Sequence, residues 1–324
     1  MAAKAFNVAC FCGAVSQEVS LRDGDISSDQ VSLSLCHCDT CRQTTGLLCT
    51  SYYPISLPDL SPPLKAYYST RTSRRYFCGR CGCHVFRVLE LKGKDQEWGV
   101  ATGVVTWASM QSTSPGLNIL HQHIADSQDG GLSVWFHPGD QQLDKKEMES
   151  GISKSVTAQK DYLEASCSCD NGTKYLAGTC ACRSCRLMSG FEVQAWAFVP
   201  RANIFFHIPG PEGAKSTIPL DFITLPSGVL TSFTSSSNVT REFCGTCGAT
   251  VFWHEKSPDD VVDVSVGLFK DPEGARAEKW LKWWQGRVSF AEEVGTGRTV
   301  LEAKVASALI CELEQGMKHR ENCN

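Results

Sequence analysis

The chain carries 18 cysteines in 324 residues, and most of them fall in short clusters. The first half holds Cys10 and Cys12, then Cys36, Cys38 and Cys41, then Cys78 and Cys81. The second half holds Cys167 and Cys169, then Cys180, Cys182 and Cys185, then Cys244 and Cys247. Zinc takes four tetrahedral ligands, and thiolates suit it well. Two short pairs brought together by a fold make a closed four-thiolate site with no room for substrate. Cys10 and Cys12 would join Cys78 and Cys81, and Cys167 and Cys169 would join Cys244 and Cys247. The three remaining cysteines of each half share one short loop. Three protein ligands without an obvious fourth are the arithmetic of an open zinc site. Such a site has a net negative formal charge, so it is a poor Lewis acid for hydrolysis. It suits the capture of an incoming thiol, which loses its proton on the metal. The loops therefore point to sulfur chemistry. Other readings remain open: a fourth ligand such as a nearby His, a joint cluster with the other cysteines, or an iron–sulfur cluster. Disulfides rank lower, because C-x-C pairs are awkward to bridge locally.

Composition narrows the class. Hydrophobic residues make up 42% and charged residues 20%, as in a folded soluble protein. A net charge of -4 and a pI near 6.1 argue against a nucleic-acid partner held by a basic footprint. No apolar run is long enough to span a membrane, and Met1 to Phe6 lead into the first cysteine pair without an apolar leader. A cytoplasmic location is expected, where thiols stay reduced and ligate metals. On that view the sequons Asn171-Gly172-Thr173 and Asn238-Val239-Thr240 are chance matches.

The clusters repeat in order: C-x-C, C-x-C-x-x-C-R and F-C-G-x-C-G occur in each half. Gly46 and Gly190 follow the middle motif at equal distance, and Val85-Phe86 and Val251-Phe252 follow the last. A duplicated domain follows, with a first copy over 1–140, a linker over 141–160, a second copy over 161–296 and a C-terminal helix and tail over 297–324. The spacing between motifs differs, which surface loops tolerate at small entropic cost. Alternating or β-rich stretches predict strands at Val31–Leu35, Val85–Val88, Val193–Val199 and Val262–Val266. Leu301, Val305, Ala308, Leu309 and Leu313 recur at helical spacing and predict one amphipathic helix docked on the second copy.

Taken together, Cys10 to Gly13, Cys36-His37-Cys38 with Cys41-Arg42, and Cys78 with Cys81-Gly82 resemble the glutathione-dependent formaldehyde-activating enzyme family, which includes centromere protein V. The match appears twice, as in a tandem two-domain form. The resemblance implies a mostly β fold, two tandem β-tent zinc domains with the C-terminal helix beside them. It implies two zinc ions per domain, four per chain, with the pairs structural and the three-cysteine loop catalytic. It also implies carbon–sulfur lyase chemistry on a small thiol adduct such as a glutathione conjugate. The alternative is a non-catalytic zinc module that binds a partner, as centromere protein V allows.

Other residues are weighed beside the cysteines. Arg42 is taken with Cys36, Cys38 and Cys41 as catalytic; it and Arg186 could offset charge, hold a substrate carboxylate, or bond the loop backbone. His37 reads as packing behind the ligands, and His121, His123 and Asp126 as a surface or packing cluster that could supply an acid or base. Arg74, Arg75 and Arg241 read as strand-edge charges, and Trp280, Trp283 and Trp284 as a core or interface run. Cys49, Cys83, Cys311 and Cys323 are unassigned. Ala181 replaces His37 in the second copy, and the stretch before Cys180 is short, so that copy is the better candidate for scaffolding. The sequence names no proton-transfer group, substrate or oligomeric state.

Overall fold

The computed structural model describes residues 5–22, 30–61, 63–107, 116–136, 168–169, 173–209, 215–225, 228–256 and 261–321. The expected linker over 141–160 and Cys167 lie outside the described residues. The protein is mostly β, with two sheet-rich bodies and a C-terminal helix.

The first half contains β1 (Ala5–Ala9), β2 (Ser16–Ser20), β3 (Gln30–Cys36), α1 (Asp39–Thr45), β4 (Thr50–Ile55), β5 (Leu64–Thr70), β6 (Ser73–Cys78), β7 (His84–Leu89), β8 (Glu97–Ala101), β9 (Val105–Trp107) and β10 (Gly116–Gln122). Its main sheet runs β10-β3-β4-β8-β7-β6-β5, and β2-β1-β9 form a smaller sheet. The second half contains β11 (Ser168–Cys169), β12 (Lys174–Cys180), α2 (Arg183–Ser189), β13 (Gln194–Pro200), β14 (Phe205–Pro209), β15 (Lys215–Pro219), β16 (Leu230–Ser236), β17 (Val239–Cys244), β18 (Thr250–Glu255), β19 (Val261–Ser265) and β20 (Leu281–Trp283). Its sheet runs β11-β12-β13-β19-β18-β17-β16, with β20 parallel to β12 as β10 is parallel to β3. The duplication read from the motifs thus extends to strand order. The β14–β15 hairpin fills the longer spacing between the second and third motifs of the second half.

The predicted strands match β3, β7, β13 and β19, except that Val193 precedes β13 and Val266 falls in a short turn after β19. In β3 the alternation works as expected: Val31, Leu33 and Leu35 are buried while the residues between them are more open. Each short helix is bounded by its own chemistry. The sulfurs of Cys38 and Cys182 accept from the amides of Cys41 and Cys185 at the helix starts. Gly46 and Gly190 close the ends in the left-handed region, at φ 81° and 84°.

These two glycines also join the halves. A Cβ on Gly46 would lie 2.3 Å from the Thr250 carbonyl oxygen, and one on Gly190 would lie 2.4 Å from that of His84. Gly103 N–H donates to Gly190 O at 3.0 Å, and the Gln194 side-chain amide donates to Gly46 O at 3.2 Å. The contact is reciprocal at the cysteine knuckles too, where Gly82 abuts the Phe243 ring and Gly248 abuts the Phe77 ring. One buried apolar cluster draws on both halves.

The C-terminal helix α3 (Val300–Glu321) buries Leu301, Val305, Leu309 and Leu313, as the spacing predicts. Docking on the second half alone is not what is found. Glu302 accepts from Trp107 N–H of the first half at 2.7 Å, while Glu314 accepts from Val288 N–H of the second at 2.8 Å. At 22 residues the helix is about 33 Å long, more than one small half can cover. None of the described helices is long and apolar enough to cross a membrane.

Candidate metal and thiol sites

The strands carry the first cysteine group from distant parts of the chain. Cys78 ends β6 and Cys81 follows in a tight loop, where Gly82 at φ 78° returns its N–H to Cys78 O at 2.8 Å. Cys10 and Cys12 follow β1. The four sulfurs lie within 4.8 Å of one another, with Cys10 to Cys12 at 3.5 Å and Cys12 to Cys78 at 3.7 Å. A zinc–sulfur bond of about 2.3 Å gives a tetrahedral edge of about 3.8 Å, so the group fits that ion. Thiols of Cys10 and Cys81 donating to Cys78 pull its pKa down to about 3. The second-half knuckle repeats the backbone pattern, with Gly248 N–H donating to Cys244 O at 2.9 Å. Its expected partner Cys169 lies in β11, and Cys167 is outside the described residues.

The three-cysteine groups form on the turn from β3 into α1 and from β12 into α2. In the first, Cys36 lies 3.5 Å from Cys38 and 3.4 Å from Cys41. In the second, Cys180, Cys182 and Cys185 also lie within 4.8 Å of one another. These edges again fit a thiolate-bound zinc. Among the described residues, no fourth Cys, His, Asp or Glu joins either group. The crowding of sulfurs shifts the thiols: contacts with Cys36 and Cys38 hold Cys41 well below the usual thiol range, and contacts with Cys180 and Cys185 do the same for Cys182.

Arginines reach these sulfurs, but from strands the sequence left unassigned. Arg75 on β6 is 1% exposed and donates to Cys41 Sγ at 3.0 Å and to Tyr52 Oη at 2.6 Å. Arg241 on β17 donates to Ser184 Oγ at 3.0 Å and to Cys185 Sγ at 3.5 Å. Their local sequence suggests only edge charges, since nothing in it says that β6 and β17 pass over the triads. The adjacent arginines make further contacts. Arg42 pairs with Asp39 on its own helix. Arg186 donates to Gly103 O at 2.6 Å and to Thr296 O at 3.2 Å, tying α2 to the other half.

The remaining candidates separate. His37 is fully buried, with its Nε2 2.9 Å from His121 Nδ1; burial, then the neighbouring His121, lowers its pKa to about 3. His123 and Asp126 lie beyond, at the start of a short turn. Trp283 is interface: its ring meets Trp135 of the first half edge-on at 5.0 Å, and its Nε1 donates to Arg276 O. Trp284 is 55% exposed. Cys49 and Cys83 are buried free thiols, Cys311 is exposed, and Cys323 lies outside the described residues.

A cavity of about 390 Å³ opens onto the second triad. Cys180, Cys182, Cys185, Trp196, Trp253 and Asp263 line it, with Arg241 and Glu293 among their neighbours. Burial pushes the Asp263 carboxyl up to about 7, against the nearby Arg241 charge. The ladders set its first-half counterparts. Trp196 pairs with Ser265 as Tyr52 pairs with Ala101, and Trp253 pairs with Asp263 as Arg87 pairs with Gly99. Tyr52, Arg87 and Gly99 therefore stand where the second half has Trp196, Trp253 and Asp263. The cavity combines these strand residues with Ser184 and Cys185 of α2 and with Phe290 and Glu293.

A family model described as glutathione-dependent formaldehyde-activating enzyme matches residues 5–122 and again residues 162–286. No curated protein and no solved structure matches the chain. The two matched segments hold the paired triads and knuckles in the same order and together span well over half of the sequence. The chain belongs to the glutathione-dependent formaldehyde-activating enzyme family.

Proposed function

We propose that the protein is a zinc-dependent carbon–sulfur lyase that makes or breaks the bond between a thiol sulfur and carbon in a glutathione conjugate or another thiol adduct. The observation that carries this reading is the pair of three-cysteine groups with no fourth protein ligand among the described residues, one of them facing a cavity. A zinc ion held by each triad would supply an open position that accepts a substrate sulfur as thiolate.

The chain's own groups supply the rest. Arg75 and Arg241 donate to Cys41 and Cys185 and would offset the negative charge of a triad whose thiols are deprotonated by a metal. Trp196, 3% exposed and packed on Cys180 and Cys185, walls one side of the second triad. The Asp263 carboxyl, with its pKa raised to about 7, can hold a proton near neutral pH and release it within the cavity. A partner-binding module would need no cavity at the triad.

Elemental analysis and turnover together test the proposal. About four zinc per chain should fall to about two in a Cys38→Ala, Cys182→Ala double variant, with loss of thiol-adduct turnover and an intact fold. About two zinc in the wild type, unchanged in the variant, would remove the basis of the lyase reading.

A further inference from the structure

We infer that the second-half cavity selects an uncharged or cationic aromatic thiol adduct, with Trp253 and Asp263 setting that choice against the anionic tripeptide glutathione. The inference rests on the reading of the triad as the place where a substrate sulfur sits.

Shape comes first. Trp196 packs directly on the second triad, with Phe198 and Trp253 against the same cluster. Indole and phenyl faces beside the sulfurs offer a planar group stacking surface. A volume of about 390 Å³ suits a bicyclic ring with its sulfur.

Charge argues the same way. Asp263 and Glu293 both line the cavity. Arg241 is 2% exposed, already donates to Ser184 and Cys185, and has its guanidinium carbon 5.9 Å from the Trp196 ring centroid. A divalent ion held by the three thiolates of Cys180, Cys182 and Cys185 would leave a further net negative charge there. A substrate carboxylate brought into this space meets repulsion from Glu293, from the triad thiolates and from Asp263 whenever it is ionised, in a medium that screens poorly. The first half shows the contrast at the same ladder positions. Arg87 lies 4.5 Å from the Tyr52 ring centroid, and Gly99 leaves no carboxylate. One metal-binding plan thus carries opposite electrostatic linings in its two copies.

The test is equilibrium binding to the full-length, zinc-loaded protein by titration calorimetry, with 2-naphthalenethiol and glutathione as probes. 2-Naphthalenethiol should bind at least about tenfold more tightly than glutathione, and Cys182→Ala should abolish that binding. Trp253→Arg, which installs the first-half residue, should weaken it about tenfold or more, and Trp253→Phe should largely keep it. Asp263→Asn should favour 6-mercapto-2-naphthoate over the uncharged probe, and this variant carries the test if Trp253→Arg fails to fold. Glutathione binding the second triad as tightly as 2-naphthalenethiol, or indifference to both Trp253→Arg and Asp263→Asn, would overturn the inference. The two readings fail separately. Binding as expected with no adduct cleaved removes the lyase proposal alone, and cleavage of glutathione adducts with no 2-naphthalenethiol binding removes this one alone.

Discussion

At the residue scale, the triads depend on groups far away in sequence. Arg75 is buried between Cys41 and Tyr52 and donates to both. A hydrogen bond between charged groups contributes about 1.5–3 kcal/mol, so Arg75→Met should loosen metal at the first triad by about tenfold or more. Chelator-driven zinc release checks this. The first-triad ion should leave faster while the four-cysteine site keeps its rate, and Arg75→Lys should recover part of the loss. Uniform release from both sites would assign Arg75 to general packing instead. Asp263 gives a second prediction, with a definite sign. Its folded pKa is raised toward 7, so the folded state binds the proton more tightly than the unfolded chain. The stability that this provides is complete below about pH 4, the unfolded carboxyl range, and is lost as pH rises through about 7. Wild type should therefore lose stability relative to Asp263→Asn across that window, by an amount on the order of a few kcal/mol. A melting-temperature difference that stays flat with pH would remove the buried carboxyl from the account.

At the scale of elements, the helix-ending glycines do two jobs, and a substitution can separate them. Gly46 and Gly190 are left-handed and press on the opposite half's backbone, whereas Gly13 at φ 71° has open space around its Cβ position. Gly13→Ala should cost about 1 kcal/mol, the backbone term alone. Gly46→Ala and Gly190→Ala should each cost at least about 3 kcal/mol, because a carbonyl oxygen must also be displaced. Urea unfolding of the three variants decides between one cause and two. The same glycines mark what was legible beforehand. Their equal spacing after the triads was visible in sequence, as were the cysteine groups, the β3 alternation and the helical stripe of α3, because each is a short-range pattern. Not legible were the approach of Arg75 and Arg241 to the sulfurs, and the exchange of Trp253 and Asp263 for Arg87 and Gly99. Those depend on which strands lie side by side, and ladder order is fixed by long-range packing. The α3 stripe also predicts a buried face without naming its partner, which is why its reach across both halves had to be seen.

At the scale of the molecule, the two copies are not independent modules on a string. Phe77 directly precedes Cys78, and its ring receives Gly248 of the other knuckle; Phe243 directly precedes Cys244, and its ring receives Gly82. If each knuckle holds a metal as proposed, losing it would loosen the loop that positions its glycine, and with it one wall of the other copy's phenyl pocket. The halves also share a buried apolar cluster, and α3 bonds to both. Unfolding should therefore be one cooperative transition despite the duplication. Cys81→Ser should lower metal retention not only at its own site but also at the second-half knuckle, and Cys247→Ser should do the reverse. The double variant should be less damaging than the sum of the singles, with a coupling of about 0.5–3 kcal/mol, as for residues in contact. Calorimetry with zinc release monitored in parallel measures both quantities. Two separate melting transitions with additive losses would mean that each copy folds and holds metal alone. A single transition with coupled losses would mean that duplication yielded one folding unit, in which the two triads could take different linings while each knuckle stayed answerable to the other.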